Sequence, residues 1–184
     1  MFGQIGTFLV DTVVTFFVFL FLARFLFQTL RVSFRNPMGE FLVAMTAWSV
    51  TPARRFIPGL AGIDLTTLLL AWFLQALGLW LQAAMVGADI AALAIVVVAL
   101  IDLARYTVYI LVFVVIVQAV MSWINPDAPL APVFDALARP FLRPLRRFVP
   151  PIGAVDLTPL ILLVILQVLL IPINYLRIAA AGLS

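Results

Sequence analysis

Four stretches of the chain stay apolar over a long distance: Ile5 to about Leu30, Leu65 to about Met85, Ile90 to Trp123, and Leu157 to about Leu176. Roughly 20 apolar residues cross the hydrocarbon of a bilayer as a helix. Each stretch is predicted to be helical, because a lone strand in lipid leaves its backbone groups unpaired. Two substantial connectors, Arg31–Asp64 and Ile124–Asp156, separate spans one from two and three from four. The join between spans two and three, "MVGAD", is very short and predicts an antiparallel hairpin. The third tract exceeds what a bilayer needs, so Ile90–Ile101 is expected to be an interfacial segment or a helical extension.

The polar punctuation occurs twice. "RRFIPGLAGIDLTT" starts at Arg54 and "RRFVPPIGAVDLTP" at Arg146. At one offset of 92, Pro52 falls on Pro144, Arg54 on Arg146, Arg55 on Arg147, Phe56 on Phe148 and Pro58 on Pro150. Asp64 then falls on Asp156, Leu65 on Leu157, Thr66 on Thr158, Gln75 on Gln167 and, further upstream, Pro37 on Pro129. Apolar composition alone does not align Arg, Pro, Asp and Gln together, so the chain reads as a tandem duplication, 1–87 and 88–184. Each half holds two spans, which returns the chain to its starting side. The halves are therefore expected to be parallel repeats about an axis along the membrane normal.

The second connector carries its own periodicity. Arg139, Arg143, Arg146 and Arg147 are spaced by four, three and one. Phe134, Leu137, Phe141, Leu145 and Phe148 recur at three, four, four and three beside them. That is an amphipathic pattern suited to a membrane interface, with arginines among anionic headgroups, and interfacial amphipathic helices are expected in both connectors. Asp135 is placed to pair with Arg139 one turn on. Pro140 and Pro144 predict short broken helices or a shallow re-entrant hairpin. Asp64 and Asp156 are expected to cap spans two and four, with Thr66 and Thr158 following and Pro159 in the first turn.

Composition sharpens the class. The chain is 66% hydrophobic and 10% charged over 184 residues, against about half and about a quarter in soluble domains. It is an integral membrane protein of all-α class. It has no Cys or His, and all eleven cations are Arg. The usual ligands of zinc, haem and iron–sulfur clusters are missing, as is His acid–base catalysis. No cofactor or metal is expected. The remaining Asp residues and Glu40 form no nucleophile–base pair in sequence, so an enzyme is the weakest reading. The net charge of +3 is better read as orientation than as nucleic-acid binding. Arg31, Arg35, Arg54 and Arg55 in one connector, and Arg139, Arg143, Arg146 and Arg147 in the other, put both connectors in the cytoplasm and both termini outside.

Polar groups inside the apolar runs are the remaining candidates. Gln75 and Gln167 lie near the bilayer midplane and are expected to face each other, as glue or as a path lining. Asp11, Arg24, Asp102 and Arg105 are ionisable groups within spans. Asp102 and Arg105 are three apart and can pair, with Asp102 expected to reach toward the outer interface. Arg24 is expected to reach toward the cytoplasmic side.

The second copy, "RPFLRPLRRFVPPIGAVDLTPLILLVILQVLL", resembles the signature of the YggT (YlmG) family of small bacterial and plastid membrane proteins. The first copy departs from it at Gly59 and Thr67, where the pattern has proline. The resemblance implies a four-span, two-repeat protein of the bacterial cytoplasmic membrane. It also implies links to cell division, nucleoid distribution, osmotic tolerance or, in plastids, cytochrome cofactor assembly. Two readings follow. The first is a non-enzymatic organiser or assembly factor, with Arg54, Arg55, Arg146 and Arg147 contacting anionic lipid and other membrane proteins. The second is a small conductor, oligomeric through copies of the chain, with Asp11, Asp102, Gln75 and Gln167 along its path.

Overall fold

A computed structural model describes residues 2–55, 64–125, 127–149 and 156–182. The motif positions Phe56, Pro58, Gly59 and Pro150 lie outside the described residues. Among the described residues the chain forms six helices and no strand. These are α1 (Phe2–Thr29), α2 (Pro37–Ala53), α3 (Leu65–Val86), α4 (Ala92–Ile124), α5 (Ala131–Phe148) and α6 (Thr158–Ala181). Four of them, α1, α3, α4 and α6, are long and apolar enough to cross a membrane. Their bounds follow the four apolar stretches closely. Residues from Ala92 to Ile101 are the first turns of α4, so the extra tract is a helical extension.

The four long helices pair in order, α1 on α3 and α4 on α6, with α3 and α4 joining the pairs. Residue numbers show the directions. Gln82 of α3 bonds Asp11 of α1, while Arg54, which follows α2 and bonds the α3 cap Asp64, also bonds Gln28 at the far end of α1. Rising numbers on one helix meet falling numbers on the other, so the two run antiparallel. Phe19 packs on Tyr106, and Ala23 and Phe27 line one small cavity with Ile110 and Val114. Here both numbers rise together, so α1 and α4 run parallel. Both connectors, with α2 and α5, therefore sit at the same end of the bundle.

Local chemistry fixes the helix ends. Asn36 caps α2 by accepting from the Gly39 N–H, and Pro37 opens the helix where no donor is needed. A side chain at Gly39 would stand 2.6 Å from the Phe34 backbone, so this turn requires glycine. Gly87 ends α3 in the left-handed conformation, φ 66°. Close approach along the α1–α3 contact rests on Gly78, where an added Cβ would meet Val14 at 2.7 Å.

Two apolar clusters form the core. Near the middle of the bundle Val14, Val18, Leu22, Ala71, Leu103 and Tyr106 come together. Toward the connector end, Phe27, Leu111, Val115, Leu137, Leu142 and Leu166 unite α1, α4, α5 and α6. The helix α5 thus roofs the α4–α6 pair, burying Val133, Phe134, Leu137, Ala138 and Leu142.

One expectation fails here. Instead of short broken pieces, α5 runs unbroken through Pro140 and Pro144. Both prolines are exposed, and their spacing of four puts them on one outward face. The opposite face, with Val133, Phe134, Leu137, Ala138 and Leu142, is buried against the bundle, so packing on that side holds the helix together past both prolines.

Candidate functional site

Each half carries the same ionic link just before its second span. Arg54 donates to Asp64 at 2.6 Å, and Asp64 is 2% exposed. Asp64 caps α3 by accepting from the Thr67 N–H, and the Thr67 hydroxyl donates to it as well. Burial pulls the Asp64 carboxyl upward. The Thr67 and Arg54 bonds outweigh it and hold the carboxyl below its ordinary value. In the second half, Nε and Nη2 of Arg146 both reach Asp156, at 3.0 and 2.9 Å. Asp156 accepts from the backbone N–H and the hydroxyl of Thr158. Its carboxyl is likewise lowered: burial raises it, and Thr158 and Arg146 more than offset that. Thr66 and Thr158 are fully buried beside these links.

The cap of α6 differs from the expectation by one position. Leu157 is the N-cap and offers no side-chain bond, while Asp156 precedes it and reaches forward. The reason is Pro159, which occupies the first turn and has no N–H to give. A carboxylate at the cap has one fewer donor to accept there, and the Thr158 N–H takes that role from one residue earlier.

The other connector arginines are arranged differently. Arg139 pairs with Asp135 on α5, and this bond holds its guanidinium above the ordinary value. Arg31, Arg35, Arg55, Arg143 and Arg147 are exposed and have no ion-pair partner among the described residues. Arg31, Arg139 and Arg143 converge on a groove of about 470 Å³ between the end of α1 and α5, with Thr29, Ala136 and Pro140. Arg31 is the one non-glycine residue at positive φ, 55°, among the described residues, held in the turn that leaves α1. The turn is a Schellman cap, with Val32 N–H donating to the Phe27 carbonyl and Arg31 N–H to the Gln28 carbonyl; it escaped the sequence reading because the left-handed position holds Arg31 where glycine usually marks such a cap.

A second cluster lies within the spans. Asp102 on α4 is fully buried. One oxygen accepts from Arg177 Nε at 2.6 Å and pairs with Arg105 Nη2 at 3.0 Å; the other accepts from Gln75 Nε2 at 3.0 Å. Arg105 also lies over the Tyr106 ring, 5.2 Å from its centroid. The expected pairing with Arg105 is present, and Asp102 is fully buried. Two cations hold it inside, where a lone carboxylate would be costly. Sequence reasoning missed Arg177, 75 residues away. Laying span four antiparallel along span three brings the two near each other, which was the available signal. Beside Arg177, a cavity of about 420 Å³ opens among Thr7, Gln82, Ile90, Ala94 and Val98.

The remaining predicted residues separate. Arg24 is buried and donates to Thr46 of α2 at 2.6 Å, so it is pinned under the connector helix. Asp11 is exposed and accepts from Gln82 at 3.1 Å. Gln75 and Gln167 do not face each other: Gln75 is buried against Asp102, and Gln167 points outward from α6. The α4 helix covers the α3 face that carries Gln75, whereas among the described residues no element covers the matching face of α6. Among the described residues, no group of acidic side chains converges that could hold a metal.

The CCB3/YggT family profile matches residues 3–85 and 89–176. A protein of Escherichia coli (strain K12), "Uncharacterized protein YggT", is 34% identical over 165 residues, 89% of this chain and 86% of that protein. An uncharacterized protein of Vibrio alginolyticus is 31% identical over 164 residues, 88% of this chain and 89% of its own length. No solved structure matches the chain. Both the profile and these bacterial relatives span both helix pairs and both connectors, and the chain, a multi-pass membrane protein, belongs to the CCB3/YggT family.

Proposed function

We propose that the protein is a non-enzymatic membrane organiser or assembly factor that presents a basic surface, formed by its two connectors, to anionic lipid and to other membrane proteins. The observation that carries this reading is the set of five connector arginines left without a carboxylate, two of which, Arg31 and Arg143, share one groove with Arg139. An anionic headgroup phosphate suits that groove, since guanidinium groups recognise phosphate by charge-assisted bonds. Each arginine near an anionic surface contributes about 1 kcal/mol. On this reading α5 lies in the interface, both connectors are cytoplasmic, and residues 1–87 and 88–184 are tandem repeats. The 92-residue offset and the matching Arg–Asp links support the last point. Cell division, nucleoid distribution and membrane-protein maturation are the settings in which such an organiser would act.

The roles within the motif divide. Arg54 and Arg146 fasten the connectors to the spans, whereas Arg55, Arg143 and Arg147 are free to make contacts. The test is photo-crosslinking in native membranes from the outer face of α5, read by mass spectrometry. The reading expects lipid and protein adducts that disappear when Arg55, Arg143 and Arg147 become Gln. Unchanged adducts would refute it.

A small conductor is the second reading, favoured by the 420 Å³ cavity that reaches Arg177 beside the buried Asp102. Purified protein in liposomes would then pass ions or small solutes, and a silent bilayer would dispose of the idea.

A further inference from the structure

Gln75 and Gln167 occupy equivalent positions, yet the fold treats them oppositely. Gln75 is buried and bonded to Asp102. Gln167 is exposed, nine residues past the start of α6, about 14 Å along its axis and near the centre of the span. Asn174, seven residues further on, is exposed on the same face. Neither amide has a hydrogen-bond partner among the described residues. In hydrocarbon no water is present to satisfy them, so both are left at a cost.

The residues around these amides form a seam. Leu160, Val164, Gln167, Ile171, Asn174 and Ile178 are all exposed, at alternating spacings of four and three. That is the repeat of two helices packed side by side with a left-handed crossing. One heptad position is β-branched throughout, Val164, Ile171 and Ile178, as parallel pairs of helices favour. The other holds Leu160 and the two amides. Polar residues at such positions fix register and partner number.

We propose that this face of α6 is the contact with a second copy of the chain. The two α6 helices would lie parallel about a two-fold axis along the membrane normal. That axis sets each amide opposite itself at the same depth. A side-chain amide complements itself, since its carbonyl accepts and its NH2 donates. Gln167 then pairs with Gln167 of the second copy, and Asn174 with Asn174. A different helix would need matching polar groups at two depths, whereas a second copy supplies them by symmetry. The proposal does not depend on the basic connector surface.

The chain has no Cys, so single cysteines report cleanly. In native membranes under mild oxidation, Val164→Cys and Ile171→Cys are expected to give a disulfide-linked dimer. Leu169→Cys, exposed but turned about 200° away from Gln167, serves as the control at the same depth. We expect at least about tenfold more dimer from the seam positions than from the control. In lipid-facing sites an apolar residue is well tolerated, so Gln167→Leu should fold. It is expected to weaken association by roughly 3- to 30-fold, equivalent to about 0.6–2 kcal/mol. Equal yields at Leu169→Cys, a crosslink to another protein in place of the dimer, no crosslink, or a Gln167→Leu dimer as strong as the parent would each overturn the proposal.

Discussion

Asp102 on α4 and Arg177 on α6 meet at 2.6 Å, joining the third span to the fourth across 75 residues of chain. Arg105 and Gln75 complete the cluster, so one buried carboxylate ties together three of the four spans. Removing it leaves two guanidinium groups inside without a counter-charge. Asp102→Ala is expected to cost about 3–5 kcal/mol, measured by unfolding in detergent. Replacing Asp102, Arg105 and Arg177 together by Leu is expected to recover most of that loss, because the unpaired charges go with their partner.

Gly78 sets the distance between α1 and α3. A Cβ there would stand 2.7 Å from Val14 Cγ1. Gly78→Ala is expected to destabilise the protein by about 1–3 kcal/mol. Adding Val14→Ala should restore much of it by clearing the space, so the two changes combine non-additively in a double-mutant cycle.

The two Arg–Asp links predict an acid response. Both carboxyls sit below their ordinary value of 3.8 when folded. The stability they contribute is complete above that value, and it is lost as pH falls through the depressed folded values. The unfolding midpoint of the parent should therefore drop steeply below about pH 4. Asp64→Asn with Asp156→Asn lowers the midpoint at neutral pH and flattens the acid limb. Parallel curves for the two proteins would contradict the assignment.

The connector arginines should divide into two groups. Arg54→Gln and Arg146→Gln are expected to lower stability, since each breaks a link to a capping region. Arg143→Gln and Arg147→Gln should leave stability unchanged and weaken binding of anionic lipid by roughly fivefold each, the equivalent of about 1 kcal/mol. Native mass spectrometry of bound lipid, beside a thermal melt, separates the two groups.

The spans were legible because a bilayer imposes a length on apolar runs. Leu65–Val86 and the end of α4 near Trp123 fall within a residue or two of what hydropathy marks. The Asp64 cap, the Asp135–Arg139 pair and the Asp102–Arg105 pair were legible because each is short-range in sequence. Arg177 meeting Asp102, Thr46 receiving Arg24 and Arg31 joining the α5 groove were not, because each depends on how separate helices pack. The repeat itself misled in one place. Equivalent glutamines invited a symmetric pairing, but α4 covers the Gln75 face of α3 and, among the described residues, no element covers the Gln167 face of α6. Pro140 and Pro144 misled in another, since local rules for proline do not weigh the burial of the helix's opposite face.

The central claim, that both arginine-bearing connectors occupy the cytoplasmic face, is tested most directly by thiol accessibility. Single cysteines at Arg35, Phe148 and Ala88, all exposed, are probed with a membrane-impermeant reagent in right-side-out and inverted vesicles. The account predicts that Arg35→Cys and Phe148→Cys react only in inverted vesicles, and Ala88→Cys only in right-side-out ones. Labelling of Arg35→Cys and Phe148→Cys from opposite sides, or of both from outside, would contradict it.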